Sequence, residues 1–137
     1  MAYLTLHPNL FTMTEAMIHE FQHNKANALL NLSPILENAF SPLYTSPLRP
    51  DPRPLHGIVL AVHAFLPVAE LYFRLREQGD ETALHPFATR RLKTIVEGNH
   101  QGMLVLEEHG AWTEVGARFF EQMKVLDRTH VKAVERC

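Results

Sequence analysis

Two histidines and a glutamate open the question of what this chain can do. His19-Glu20-Phe21-Gln22-His23 is an H-E-x-x-H motif inside the longer run Glu15 to Asn31. In a helix, residues four apart lie one above the other, so both imidazoles can reach one divalent ion. Glu20 follows one position round from His19, where a carboxylate can take the proton of a metal-bound water as a zinc hydrolase requires. The motif is short enough to recur by chance, so its context matters. Thr12-Met13-Thr14-Glu15 has the form of a capping box and sets the expected helix start shortly before the motif. Asn24, Asn27 and Asn31 continue a polar side along the same run as His23.

A catalytic metal site keeps an open position beside three protein ligands, so a third donor must come from another element. The spacing predicts a second long helix over 55–78, opened by Pro54 and ended by Gly79-Asp80. Along it His56, His63 and Glu70 recur every seventh residue and share one face. Turned toward the motif helix, that face would bring one of the three to the metal. His63 is the first choice, because an imidazole without a partner is costly to bury in the middle of an apolar run. Glu70 is the rival, since a second-helix glutamate completes the site in one group of zinc peptidases. His56 is placed behind the ligands. Pro67 is expected to kink this helix.

The elements that position these residues follow in chain order. Ala2 to Leu6 alternates and reads as a short strand, either lining a cleft or simply packing. Pro34 stops the motif helix, and a short helical turn is expected over 35–40. Five prolines between Ser41 and Pro54 predict an extended segment without regular hydrogen bonding. Leu43, Tyr44 and Leu48 argue that it is ordered, with Arg49 and Arg53 available to hold a carboxylate bidentately. After the second long helix come a helix over 82–97 capped at Gly98-Asn99, a short one over 100–108, and a last one from the cap Thr113 to about Glu135. His100, His109 and His130 are read as surface or packing residues.

Composition bounds the setting. The 137 residues are 46% hydrophobic and 20% charged, which suits one globular domain with a real core. A net charge of -2 offers no electrostatic footprint for nucleic acid or an anionic membrane. Nine histidines raise the prior for metal chemistry. The single cysteine, Cys137, rules out an internal disulfide and fits a reducing compartment, so a cytoplasmic location is expected. No signal peptide is read at the start, and His63, Pro67 and Glu70 interrupt the longest apolar stretch, so no membrane span is expected.

The run from Tyr3 to Arg76 resembles the HExxH-motif family of peptide-modification proteins found beside ribosomally made peptide natural products. The matching pieces are LTLHPN at 4–9, EAMIHEFQHNKANALL at 15–30, YTSPLRPDPRPLHG at 44–57 and VHAFLPVAELYFR at 62–74, with a weaker GAWTEVGARFF at 110–120. Members look like iron(II)- and 2-oxoglutarate-dependent peptide β-hydroxylases, and they usually carry further sequence before the strand, so this chain resembles their C-terminal part. The resemblance implies that His19 and His23 hold iron with a third ligand from the downstream helix. Some relatives place that histidine two residues later, where this chain has Phe65.

The expected architecture is a single mainly α metal-binding domain over 1–137, with a short N-terminal strand and a zincin-like HExxH helix facing a second long helix. Three functions follow. An iron oxygenase would use 2-oxoglutarate, whose far carboxylate needs a cation such as Arg53 or Arg49. A zinc(II) metallopeptidase would use Glu20 as general base and has no evident need for those arginines. A module that only binds peptide would need neither. The partner in each case is a peptide, and imidazoles suit zinc, iron and nickel alike.

Overall fold

The computed structural model describes residues 10–32, 34–40, 43–46 and 49–137, and the strand expected over Ala2 to Leu6 lies outside them. The chain folds as expected into a mainly α domain. Its elements are α1 (Leu10–Leu32), the strands β1 (Leu43–Ser46) and β2 (Arg49–Pro54), α2 (Leu55–Glu77), α3 (Glu81–Leu84), α4 (Pro86–His109) and α5 (Glu114–Val134).

Helix α2 is the centre of the fold. It is apolar on most of its circumference and buries residues from Leu55 to Tyr72 against α1, α4 and α5. By length and composition alone it is also long and apolar enough to cross a membrane. A helix hydrophobic all round needs neighbours on several sides, and here they are helices. One cluster joins Leu55, Ile58, Val62 and Leu66 to Ile35, Met103, Leu106 and Phe120. A second joins Val68, Ala69 and Tyr72 to Ala88, Leu92, Ile95 and Val96. Pro67 lies inside α2 without ending it, although it leaves the His63 carbonyl without its helical donor. Gly79, at φ 76, ends the helix in a conformation that suits glycine.

Helix α1 runs antiparallel to α2. Glu15 meets Tyr72 at one end (3.0 Å), and Asn27 lines a cavity with His56 and Val59 at the other. The helix begins at Leu10, before the expected capping box. Glu15 is committed elsewhere: it accepts from the Tyr72 hydroxyl and from Nη2 of Arg91 on α4.

Three further expectations give way to packing. Residues 35–40 do not form a helical turn. Leu36 bridges Trp112, Glu37 donates to the Ala111 carbonyl and Thr113 donates to that of Ile35, which sews this segment onto the start of α5. The proline segment is a hairpin, with Leu43 opposite Pro54 and Tyr44 opposite Arg53. Prolines at every second position (50, 52 and 54) remove N–H groups from one edge of a strand only, so the other edge can still pair. Helix α4 runs unbroken through Gly98-Asn99, because both are buried in its packed face and the expected cap would have to expose them. Thr113 does cap α5: its hydroxyl oxygen accepts from the Gly116 amide at 3.0 Å.

Polar residues interrupt the core where the two clusters meet. His130, 1% exposed, shares a 2.7 Å hydrogen bond with Glu70, and His100 shares one of 2.8 Å with Asp127. The bond to His130, more than that to Arg74, holds the Glu70 carboxyl below its ordinary range. A depressed carboxyl stabilises the fold above its unfolded value of 4.5, and that contribution is lost as pH falls through the folded value. Glu70→Gln should therefore flatten the acid limb of a urea-stability profile measured between about pH 6 and pH 3. An unchanged limb would assign the acid sensitivity to other carboxylates.

Gly116 offers a steric test. A Cβ there would lie 1.9 Å from the Ile35 carbonyl oxygen, backbone that the Thr113 amide already holds. Gly116→Ala should cost about 1–3 kcal/mol of stability in denaturant titration, from forced overpacking.

Candidate metal centre

The motif occupies the middle of α1, two turns from either end, where the backbone is hydrogen-bonded and side-chain directions are set by helical geometry. There the ligand atoms of His19, Glu20 and His23 all lie within 4.8 Å of one another. The two imidazole centroids are 4.2 Å apart, and Nδ1 of His19 is 3.7 Å from a Glu20 carboxylate oxygen. Nε2 of His23 is shielded from solvent, whereas the His19 and Glu20 side chains keep 21% and 35% of their exposure.

This set fits a metal. Imidazole and carboxylate donors bind zinc at about 2.0–2.2 Å, so small side-chain rotations would close the group on one ion. Two histidines and a carboxylate with open positions are also the donor set of non-haem iron(II) oxygenases. Among the described residues this is the only group of three or more such donors close enough to share an ion.

The residues expected from α2 do not join it. His63 stacks on Phe119 of α5, with centroids 5.0 Å apart and planes 28° apart. It lines a cavity of about 210 Å³ with Gln22 and Lys25, on the α5 side of the α1–α2 contact. Burial chiefly, then the charge of Lys25, lowers its pKa, while the Gln22 carbonyl opposes the shift. Glu70 is taken by His130 and Arg74. His56 stacks on Phe40 at 5.0 Å and lines the cavity of about 500 Å³ near the end of α1, its pKa lowered by burial.

The residue of α2 that meets His19 is Phe65, at 4.8 Å between centroids and 60° between planes. Residues 63 and 65 stand about 200° apart round a helix, so they meet the motif helix on different sides: Phe65 meets the His19 ring, and His63 the Gln22 carbonyl. Two seventh-residue sets compete. Phe65 and Tyr72 turn to α1 and α4, and His63 and Glu70 turn to α5.

Of the two proline-segment arginines, the Arg53 side chain is the one described. Arg53 lies over Gly57, its Cβ and Cδ both 3.7 Å from where a Gly57 Cβ would stand. It precedes α2, whose first residue Leu55 is eight residues, about 12 Å along the helix axis, from His63. The Arg49 side chain lies outside the described residues. A cation of α4 stands behind Phe65 instead. The Arg91 guanidinium carbon lies over the Phe65 ring, 6.0 Å from its centroid. Glu15, by hydrogen bond and charge, raises the Arg91 pKa, and the Tyr72 hydroxyl is pushed well above the ordinary phenol value by burial and by Glu15. The only sequence signal for Arg91 was its place beside Leu92, at the border of the buried stripe of α4.

No protein-family model matches the chain, and no curated protein matches it significantly.

The donor set predicts the behaviour of single variants. His19→Ala and His23→Ala should each weaken cobalt(II) or zinc(II) binding more than about 100-fold, because even residues that only orient a ligand cost 10–100-fold. Glu20→Gln should weaken it measurably as well. Competition titration with a chromophoric chelator reads all three, and unaltered affinity in Glu20→Gln would remove that carboxylate from the donor set.

Proposed function

We propose that the chain is the metal-binding domain of an iron(II)- and 2-oxoglutarate-dependent peptide hydroxylase that oxidises a β-carbon. The observation that carries this reading is the position of Glu20, close enough to both imidazoles to serve as the third donor. Two imidazoles and one carboxylate on iron leave room for a co-substrate. The motif and the arginine-proline segment, which resemble those of the peptide-modification family, support the same reading.

When bound, the iron centre would couple reduction of O2 to oxidation of 2-oxoglutarate to succinate and CO2, with one oxygen atom entering a C–H bond of the peptide. The protein's part is to hold and to exclude. His19, Glu20 and His23 would hold the ion, from a helix whose shape does not depend on it. Phe65 would cover one side of His19 and keep water from it. Met17 and Phe21, exposed one turn apart on α1, offer apolar surface to a peptide beside Glu20.

One observation favours a second reading. Glu20 is partly exposed and its carboxylate stands 3.7 Å from His19, so off the metal it could act as the general base of a zinc(II) peptidase.

Anaerobic titration of apoprotein with iron(II) and then 2-oxoglutarate separates the two. The oxygenase should develop a visible charge-transfer band that is lost on admitting O2, with succinate formed. Absence of the band, together with tight stoichiometric zinc and a hydrolysis that Glu20→Gln abolishes without releasing metal, would overturn it in favour of the peptidase.

A further inference from the structure

We infer that Asn99, Asp127 and His130 form a buried site for one ordered water, which joins two imidazole–carboxylate pairs into a single hydrogen-bonded chain across the domain. The inference is independent of the metal reading. Donor and acceptor count sets the ligand class: a molecule with two O–H donors and a lone pair, small enough to sit between packed helices.

Nδ1 of His100 on α4 shares a 2.8 Å bond with Oδ2 of Asp127, and His130, one turn further along α5, shares its 2.7 Å bond with Oε2 of Glu70 on α2. The first bond sets Asn99, the chain neighbour of His100, at the same level of α4. Packing on either side agrees. One turn beyond Asn99, Met103 joins the cluster of Phe120 and Met123; one turn before it, Ile95 and Val96 join the cluster that Val131 and Val134 pack against. Asn99 therefore belongs to the layer of Asp127 and His130, whose Cβ atoms stand about 5–6 Å apart as an i, i+3 pair. All three residues are at most 4% exposed. Nδ2 and Oδ1 of Asn99, Oδ1 of Asp127 and Nδ1 of His130 are shielded from solvent and have no hydrogen-bond partner among the described residues. Buried polar groups are met by protein or by ordered water.

The chemistry of the four atoms selects water. The Glu70 carboxylate only accepts, so Nε2 of His130 carries the proton and Nδ1 of the neutral ring is an acceptor. Oδ1 of Asp127 is an acceptor as well. Two acceptors one turn apart on a buried face need two donors, and a water supplies both, with a lone pair left for the Asn99 N–H. Three partners is the usual number for a buried water. An ammonium ion would have no lone pair for that N–H. Asn99 Oδ1 is the one atom of the four that this water does not meet. The chain then runs from the His100 side chain, 40% exposed, through Asp127, the water and His130 to Glu70 and Arg74 at the surface of α2.

Water–protein NOE spectroscopy on the isotope-labelled full chain tests the site directly. The Asn99 side-chain amide should show a cross-peak to water with the sign of a bound rather than a surface molecule. At mildly alkaline pH His130 should be the Nε2–H tautomer, with the nitrogen shift of Nδ1 that of a hydrogen-bond acceptor. Both readouts use the parent chain. Absence of the cross-peak, or a His130 that carries its proton on Nδ1, would overturn the inference. Stability gives a second measurement. Asn99→Leu keeps most of the side-chain volume and removes the water's third partner, so the unfolding equilibrium constant in urea titration should rise about tenfold or more, the consequence of buried polar groups left unmet. An equal or smaller constant would show that the Asn99 amide is better replaced by an apolar group, and would overturn the inference as well.

Discussion

One carboxylate on α1 ties three helices together. Glu15 accepts from the Tyr72 hydroxyl of α2 and from the Arg91 guanidinium of α4, and its side chain keeps only 15% of its exposure. A carboxylate so far from solvent is tolerable only with its charge answered and its lone pairs filled. That requirement fixes the rotation of α1 about its axis and selects the face of α2 that meets it. The Tyr72 face carries Phe65 one heptad earlier, so Phe65 is delivered to His19. The opposite face then goes to α5, where Glu70 finds His130 and His63 finds Phe119. The surroundings of the metal group follow from this junction.

Much of the framework was legible in the sequence. The H-E-x-x-H helix, the long apolar helix after Pro54, the stop at Gly79-Asp80 and the cap at Thr113 depend on local rules of spacing and capping, and all are present. What was not legible is rotational. Periodicity groups His56, His63 and Glu70 on one face without saying which neighbour that face meets, and on a helix apolar nearly all round every face has a neighbour. Glu15 misled for the same reason: its spacing from Thr12 suits a local cap, whereas the structure gives it a partner 76 residues away. Gly98-Asn99 has the composition of a helix end and lies buried mid-helix, since neither residue type reports burial by itself. Proline content marked 41–54 as irregular, but strict alternation matters more than content, because it leaves one strand edge free to pair.

The origin of the donors distinguishes this centre from a structural metal site. A structural site closes four ligands drawn from separate elements, so that binding the ion is part of folding. Here all three donors come from two turns of one helix, and the two apolar clusters are assembled by other residues. An ion held this way ties no elements together and contributes little to the fold beyond α1. The junction at Glu15 thus does two things at once: it puts an aromatic ring rather than a fourth donor against His19, and it holds the Arg91 guanidinium over that same ring.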